Sequence, residues 1–116
     1  MNKITIYEKP TCTTCRKTIK MLNEMGINFE KINYYIKPFT KNKLNTLLKK
    51  MNMKPSDLLR KNEKAYKELD VKNNNYTEAQ LLDFMINDPN LIQRPIVEKG
   101  EQAVLGRPID KINELF

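Results

Sequence analysis

Two thiols stand three residues apart in YEKPTCTTCRK, at Cys12 and Cys15, and the 116-residue chain holds no other cysteine and no histidine. A closed structural zinc site takes four Cys or His ligands. Two thiols could hold a metal only by sharing it with a second copy, so no metal site is expected. One adjacent pair does not staple a fold either, and in a reducing compartment such a pair points to metal binding or catalysis. Redox chemistry is what remains. The thiolate is the reactive form, and a free thiol has a pKa of about 8.5. Cys12 lies where a helix is expected to begin, so free backbone N–H groups and the positive end of the helix dipole favour its thiolate. Lowering its pKa by about two units takes about 2.7 kcal/mol. The dipole supplies ~0.3 to 1 kcal/mol and at most ~2, so a full positive charge is needed as well. One arginine about 5 Å away, at an effective dielectric near 20, contributes ~3 kcal/mol. Arg16, one turn along the same helix, is the local candidate. Residues i and i+3 of a helix have Cβ atoms about 5 to 6 Å apart, so Cys12 and Cys15 could also bridge. The other reading of Cys15 is a small apolar residue on a buried helix face.

The chain has seventeen lysines but only four arginines: Arg16, Arg60, Arg94 and Arg107. Lysine serves for ordinary surface charge here. Arginine offers a planar fork that grips an oxyanion through two parallel hydrogen bonds, which lysine cannot copy. Arg94 and Arg107 each precede a proline, so their backbone is pushed toward extended conformations and their side chains should project from strand ends or turns. The competing reading makes them surface ion-pair partners.

These side chains need elements to position them. "ITIY" at 4–7 is β-prone and ends before Pro10, so it reads as a strand and a turn. Cys15, Ile19 and Leu22 share one face of a helix from about 13 to 25, and Gly26 suits its stop. "INFEKIN" at 27–33 alternates like a second strand. Leu44, Leu47, Leu48 and Met51 form a helical stripe. Pro55 could open a short helix through Leu59, and Ala65, Tyr66 and Leu69 suggest another turn or two. Thr77 with Gln80 fits a capping box, with Leu81, Leu82 and Met85 on one face behind it; Pro89 ends that helix. "RPIVEKG" and "QAVLGRP" read as strands joined at Lys99–Gly100, and Ile109, Ile112 and Leu115 form a closing helix. The order is β-α-β, then helices, then β-β-α. That suits an α/β thioredoxin-like fold with a mixed sheet and a helical insertion at about 38–88, in one domain of 1–116. A CxxC just after the first strand of a βαβ unit is where a thioredoxin-like redox motif is expected. In that topology Pro95 is placed to be a cis-proline facing the reactive cysteine, which would bring Arg94 beside Cys12.

Apolar content of 40% and charged content of 30% read as soluble and globular. No run of about 18 apolar residues exists, so no membrane span is expected, and the N-terminus carries no leader pattern. A cytoplasmic location is the default expectation, and a monomer. The net charge of +7 is uneven: residues 37–67 hold ten Lys/Arg and two Asp/Glu, a local +8. Solvated lysine on helix faces is the plain reading; a field that draws in an anion is the sharper one. Nucleic acid is not expected as a partner, since no binding signature accompanies the charge.

The chain resembles the arsenate reductase family of the glutathione/glutaredoxin-linked type. "YEKPTCTTCRK", "LLRKNEKAYKEL", "LIQRPIV" and "AVLGRP" carry the resemblance, which covers nearly the whole chain. It implies Cys12 as nucleophile, Arg60, Arg94 and Arg107 as oxyanion-binding residues, and Pro95 as the cis-proline. The substrate implied is arsenate or a similar oxyanion. No bound cofactor is implied; glutathione with glutaredoxin, or thioredoxin, would be the external reductant and partner. In that family the loop has Gly and Ser where this chain has Thr13 and Cys15. "CTTCR" is more similar to the Spx-type redox-sensing regulators, which implies an alternative partner, the C-terminal domain of the RNA polymerase α-subunit. Those relatives lack "LGRP", and with it the third arginine.

Overall fold

The computed structural model describes residues 3–116. They divide into two compact units, 3–37 with 94–116, and 38–93.

The first unit is built on a four-stranded mixed sheet: β1 (Ile4–Glu8), β2 (Glu30–Asn33), β3 (Ile96–Lys99) and β4 (Gln102–Leu105), in the order β2-β1-β3-β4. β1 and β2 are parallel, while β3 runs antiparallel to both β1 and β4. α1 (Thr13–Glu24) makes the crossover between the parallel pair. This is the thioredoxin-like α/β arrangement that the sequence pattern predicts. Ile4 and Ile6 of β1, Leu22 of α1 and Val97 of β3 form a buried core with Ile112 and Leu115. On the other face Tyr7 Oη donates to Glu98 Oε1 at 2.8 Å.

Two expectations are corrected. β2 begins at Glu30, not at Ile27. The Ile27 N–H donates to Leu22 O, and that of Gly26, at φ +71°, to Asn23 O. This pair of bonds is the Schellman stop of α1, so the backbone that looked like a strand start is still closing the helix. The final segment, Ile109–Leu115, is a 3₁₀ helix rather than an α-helix. Its apolar residues recur every third position, which suits three residues per turn.

The second unit is helical: α2 (Lys41–Met51), α3 (Pro55–Leu58), α4 (Lys64–Leu69), α5 (Glu78–Asn87) and a 3₁₀ turn at Pro89–Leu91. Leu44, Leu47 and Leu48 of α2 are buried, as are Leu81, Leu82 and Met85 of α5. The Thr77–Gln80 capping box is formed in both directions. Asn52, in the left-handed region at φ +56°, ends α2. Leu59 bridges to Ile92, fixing the chain on either side of α4 and α5. Among the described residues no helix is long and apolar enough to cross a membrane.

Candidate active site

Topology brings the reactive groups of the first unit to one end of its sheet. β1 and β2 are parallel, so the residues that follow them, Lys9–Cys12 and Tyr34–Tyr35, emerge on the same side. β3 is antiparallel to β1, so the residues before it, Arg94–Pro95, lie there too. β4 runs back, so Arg107 follows it to the same end.

Cys12 is the N-cap of α1. Its N–H donates to Lys9 O at 2.9 Å, and its Sγ accepts from the Cys15 N–H at 3.4 Å. No acidic residue stands in the first turn of α1, so nothing there offsets the positive helix end. Cys12 is 8% exposed and Cys15 fully buried; both are free thiols. Burial alone would raise the Cys12 thiol. The Cys15 thiol and N–H, together with the Arg94 guanidinium, outweigh burial and hold it below its ordinary value. Cys15 goes the other way. Burial first, then its hydrogen bond to Cys12, push its thiol up to about 12. The pair is therefore split into one thiolate former and one proton holder.

The Arg94–Pro95 peptide bond is cis, as is Arg107–Pro108. Arg94 is 4% exposed. Its Nη1 donates to Tyr35 Oη at 3.4 Å, and its guanidinium lies 6.0 Å from the Tyr35 ring centre. Its Nε is buried with no hydrogen-bond partner among the described residues. Arg107 Nε donates to Arg94 O at 2.6 Å, and Arg107 Nη2 stands 3.7 Å from Cys12 Sγ. Two guanidinium groups thus bear on one sulfur.

Arg16 is exposed on α1; the guanidinium groups at the Cys12 sulfur are those of Arg94 and Arg107. Arg60 lies in the second unit, where its N–H donates to Leu91 O and its Nη1 pairs with Glu63 Oε1 at 2.7 Å. Sequence reasoning missed Tyr34 and Tyr35. Tyr34 is buried and hydrogen-bonded with Arg94, while Lys9 Nζ lies 4.7 Å from the Tyr35 ring centre. Their signal was available: two adjacent tyrosines follow the strand parallel to the one that leads into the CxxC.

The chain is similar to known proteins along nearly its whole length. The ArsC family model matches residues 7–115. An arsenate reductase of Escherichia coli K12 is 37% identical over 116 residues, which cover 100% of this chain and 82% of that protein. The global transcriptional regulator Spx 1 of Lactococcus lactis is 32% identical over 109 residues, 94% of this chain and 85% of the regulator. The solved structure of an arsenate reductase from Vibrio cholerae matches with a TM-score of 0.92 at 29% identity, covering 99% of this chain and 98% of that one. Motifs, fold and relatives agree, and the chain belongs to the ArsC family.

Proposed function

We propose that the chain is a thiol oxidoreductase that reduces arsenate to arsenite, with Cys12 as nucleophile. The observation that carries the reading is the 3.7 Å approach of Arg107 Nη2 to Cys12 Sγ. With Arg94 also acting on that sulfur, the thiolate sits where an oxyanion would be held. The unpaired buried Nε of Arg94 is a donor such an anion could use. Arg60 enters the proposal on its motif match alone.

In the reaction the Cys12 thiolate attacks arsenic, an arsenate hydroxyl takes up a proton from solvent and leaves as water, and a thiol–arsenate adduct forms. The arginines offset the charge that develops. A second thiol then attacks the Cys12 sulfur. The S–As electron pair stays with arsenic, which goes from As(V) to As(III), and two thiols become a disulfide. Cys15, against the Cys12 sulfur, is proposed as that second thiol, with glutathione as the other source. Glutaredoxin or thioredoxin would reopen the disulfide. No bound cofactor is required, and a reducing cytoplasm is the setting in which those systems work.

The test is arsenate-dependent NADPH oxidation coupled to glutathione, glutaredoxin and glutathione reductase, and separately to thioredoxin and its reductase. Cys12→Ser should abolish turnover, and Arg107→Lys should lower kcat by about 10²-fold. Folded protein with titratable thiols and no turnover in either system would overturn the reading. A second reading, an Spx-type redox regulator, is favoured by the CTTC loop and by the Spx 1 relative. It predicts that the chain retains the C-terminal domain of the RNA polymerase α-subunit in a pull-down, and that oxidation of Cys12 and Cys15 changes the amount bound.

A further inference from the structure

Lys9 opens the turn that leads to Cys12, its carbonyl accepting the Cys12 N–H at 2.9 Å. Its side chain takes no part in the reaction as described so far. Its Nζ lies 4.7 Å from the centre of the Tyr35 ring. The Arg94 guanidinium lies 6.0 Å from the same centre, and the Tyr35 hydroxyl accepts from Arg94 Nη1 at 3.4 Å. Tyr35 is itself braced. Its N–H donates to Asn33 Oδ1 at 3.0 Å, and the N–H groups of Ile36 and Lys37 both donate to Asn33 O. Its ring centre lies 5.1 Å from that of the buried Tyr34. One fixed ring therefore holds two cations. An aromatic face attracts a cation, but it does not cancel the charge. Other basic side chains have carboxylate partners, Lys3 with Glu30, Lys41 with Asp83 and Arg60 with Glu63. Among the described residues Lys9, Arg94 and Arg107 have none within ion-pair distance. Glu8 precedes Lys9 in the chain, but alternation sends it to the face of Ile4 and Ile6, where it is buried. A lysine on a tyrosine is common by itself. A lysine and two arginines at one end of the sheet, beside a thiol and with no carboxylate, make an excess of positive charge that suits an anion.

We infer that Lys9, held on the Tyr35 ring, is a further cation of the oxyanion site, and that with Arg94 and Arg107 it favours a doubly charged oxyanion. The inference rests on the reading of Cys12 as the centre of such a site. Lys9, Tyr35, Arg94, Arg107 and Cys12 all belong to the first unit, and Arg60 has no part in the inference. Three positive charges against one thiolate carry a surplus of two, the charge of a dianion. Arg94 Nε, buried without a partner, is a donor for it. Lysine complements the arginines. Its ammonium is a point charge on a flexible stem, whereas a guanidinium is a rigid fork. A flexible stem has to be held, and a carboxylate that held it would also neutralise it. The Tyr35 ring holds it and leaves its charge available. Tyr35 is thus a positioning residue for Lys9 and, through its hydroxyl, for Arg94.

The test needs no turnover. Sulfate is a tetrahedral dianion that a thiol does not reduce. At constant ionic strength it should protect Cys12 of the wild type from iodoacetamide, and the midpoint of protection gives its affinity. Lys9→Gln should weaken that affinity about tenfold, while Lys9→Arg should keep it within about threefold. Tyr35→Leu should weaken it at least as much as Lys9→Gln. The double variant should bind sulfate no more weakly than Tyr35→Leu alone, because Lys9 acts from the Tyr35 ring. Perchlorate has the same shape and one charge. The wild type should prefer sulfate to perchlorate, and Lys9→Gln should narrow that preference, since Coulomb energy follows the charge of the ligand. A sulfate affinity or a preference unchanged in Lys9→Gln overturns the inference while the oxyanion site stands. Losses that add in the double variant overturn the part given to Tyr35. A wild type that sulfate does not protect overturns the oxyanion reading of Cys12, and the inference with it. Should Tyr35→Leu not fold, Lys9→Arg decides: a loss equal to that of Lys9→Gln overturns the inference.

Discussion

Cys12 and Cys15 share one helical turn but not one environment. The N-cap position, the Cys15 donors and Arg94 favour the Cys12 thiolate, whereas Cys15 is shut in the core. Alkylation of the folded, reduced protein by iodoacetamide should therefore modify a single thiol. Its rate should rise with pH through a midpoint below the ~8.5 of a free thiol. Arg94→Gln should move that midpoint up, and unfolding should expose the second thiol; a midpoint that ignores Arg94 would contradict the assignment. At this scale the sequence was informative where residue type alone carried the chemistry: the paired thiols, the sparse arginines, the RP dipeptides. For the charge that reaches Cys12 the chain offered Arg16 as the near candidate, while the expected thioredoxin-like topology put Arg94 beside Cys12; the structure leaves Arg16 exposed and has Arg94 and Arg107 act on that sulfur. Tyr34 and Tyr35 carried a signal in their place after the strand parallel to β1, whereas Glu8 was hidden, since a strand-end carboxyl looks ordinary until its burial is known.

The elements were legible wherever a local rule dominated. The capping box at Thr77, the Leu44–Leu48 stripe and the two RP strands fell where periodicity and turn chemistry put them. The misses were boundaries with a competing use for the backbone. Ile27 looked like a strand start but completes the stop of α1, and the closing helix took the tighter 3₁₀ form. α1 itself links stability to ionisation. Because the folded-state pKa of Cys12 lies below that of the unfolded chain, its contribution is complete above about 8.5 and is lost as pH falls through the folded value. Under reducing conditions the melting temperature of the wild type, measured relative to Cys12→Ser, should rise with pH up to that range. A difference that stays flat would mean the thiolate does not stabilise the helix.

Across the whole molecule the charge is +7, and 37–67 alone carries +8. Several of these lysines are already paired, Lys41 with Asp83 and Lys64 with Glu68, but the surplus remains. A surplus of this sign raises the local concentration of anions. Raising salt from about 0.01 M to about 1 M shortens the screening length from about 30 Å to about 3 Å. On the proposed function, kcat/KM for arsenate should fall several-fold across that range, while alkylation of Cys12 by neutral iodoacetamide should hardly change. Equal responses would remove steering from the account. Composition gave this charge directly. The helical insertion at about 38–88 was drawn from the order of predicted elements and not from composition, and the second compact unit of the structure is 38–93.

The hydrogen bond from the Cys15 N–H to Cys12 Sγ has a use outside chemistry. That amide proton points at the one sulfur whose charge and covalent state change in every step of the proposed reaction. Ionisation, arsenylation or disulfide formation each alters the acceptor it feels. In a nitrogen-15-labelled sample the Cys15 resonance is thus a native reporter of Cys12, readable without substrate, dye or coupled enzyme, and in a chain with no histidine to titrate beneath it.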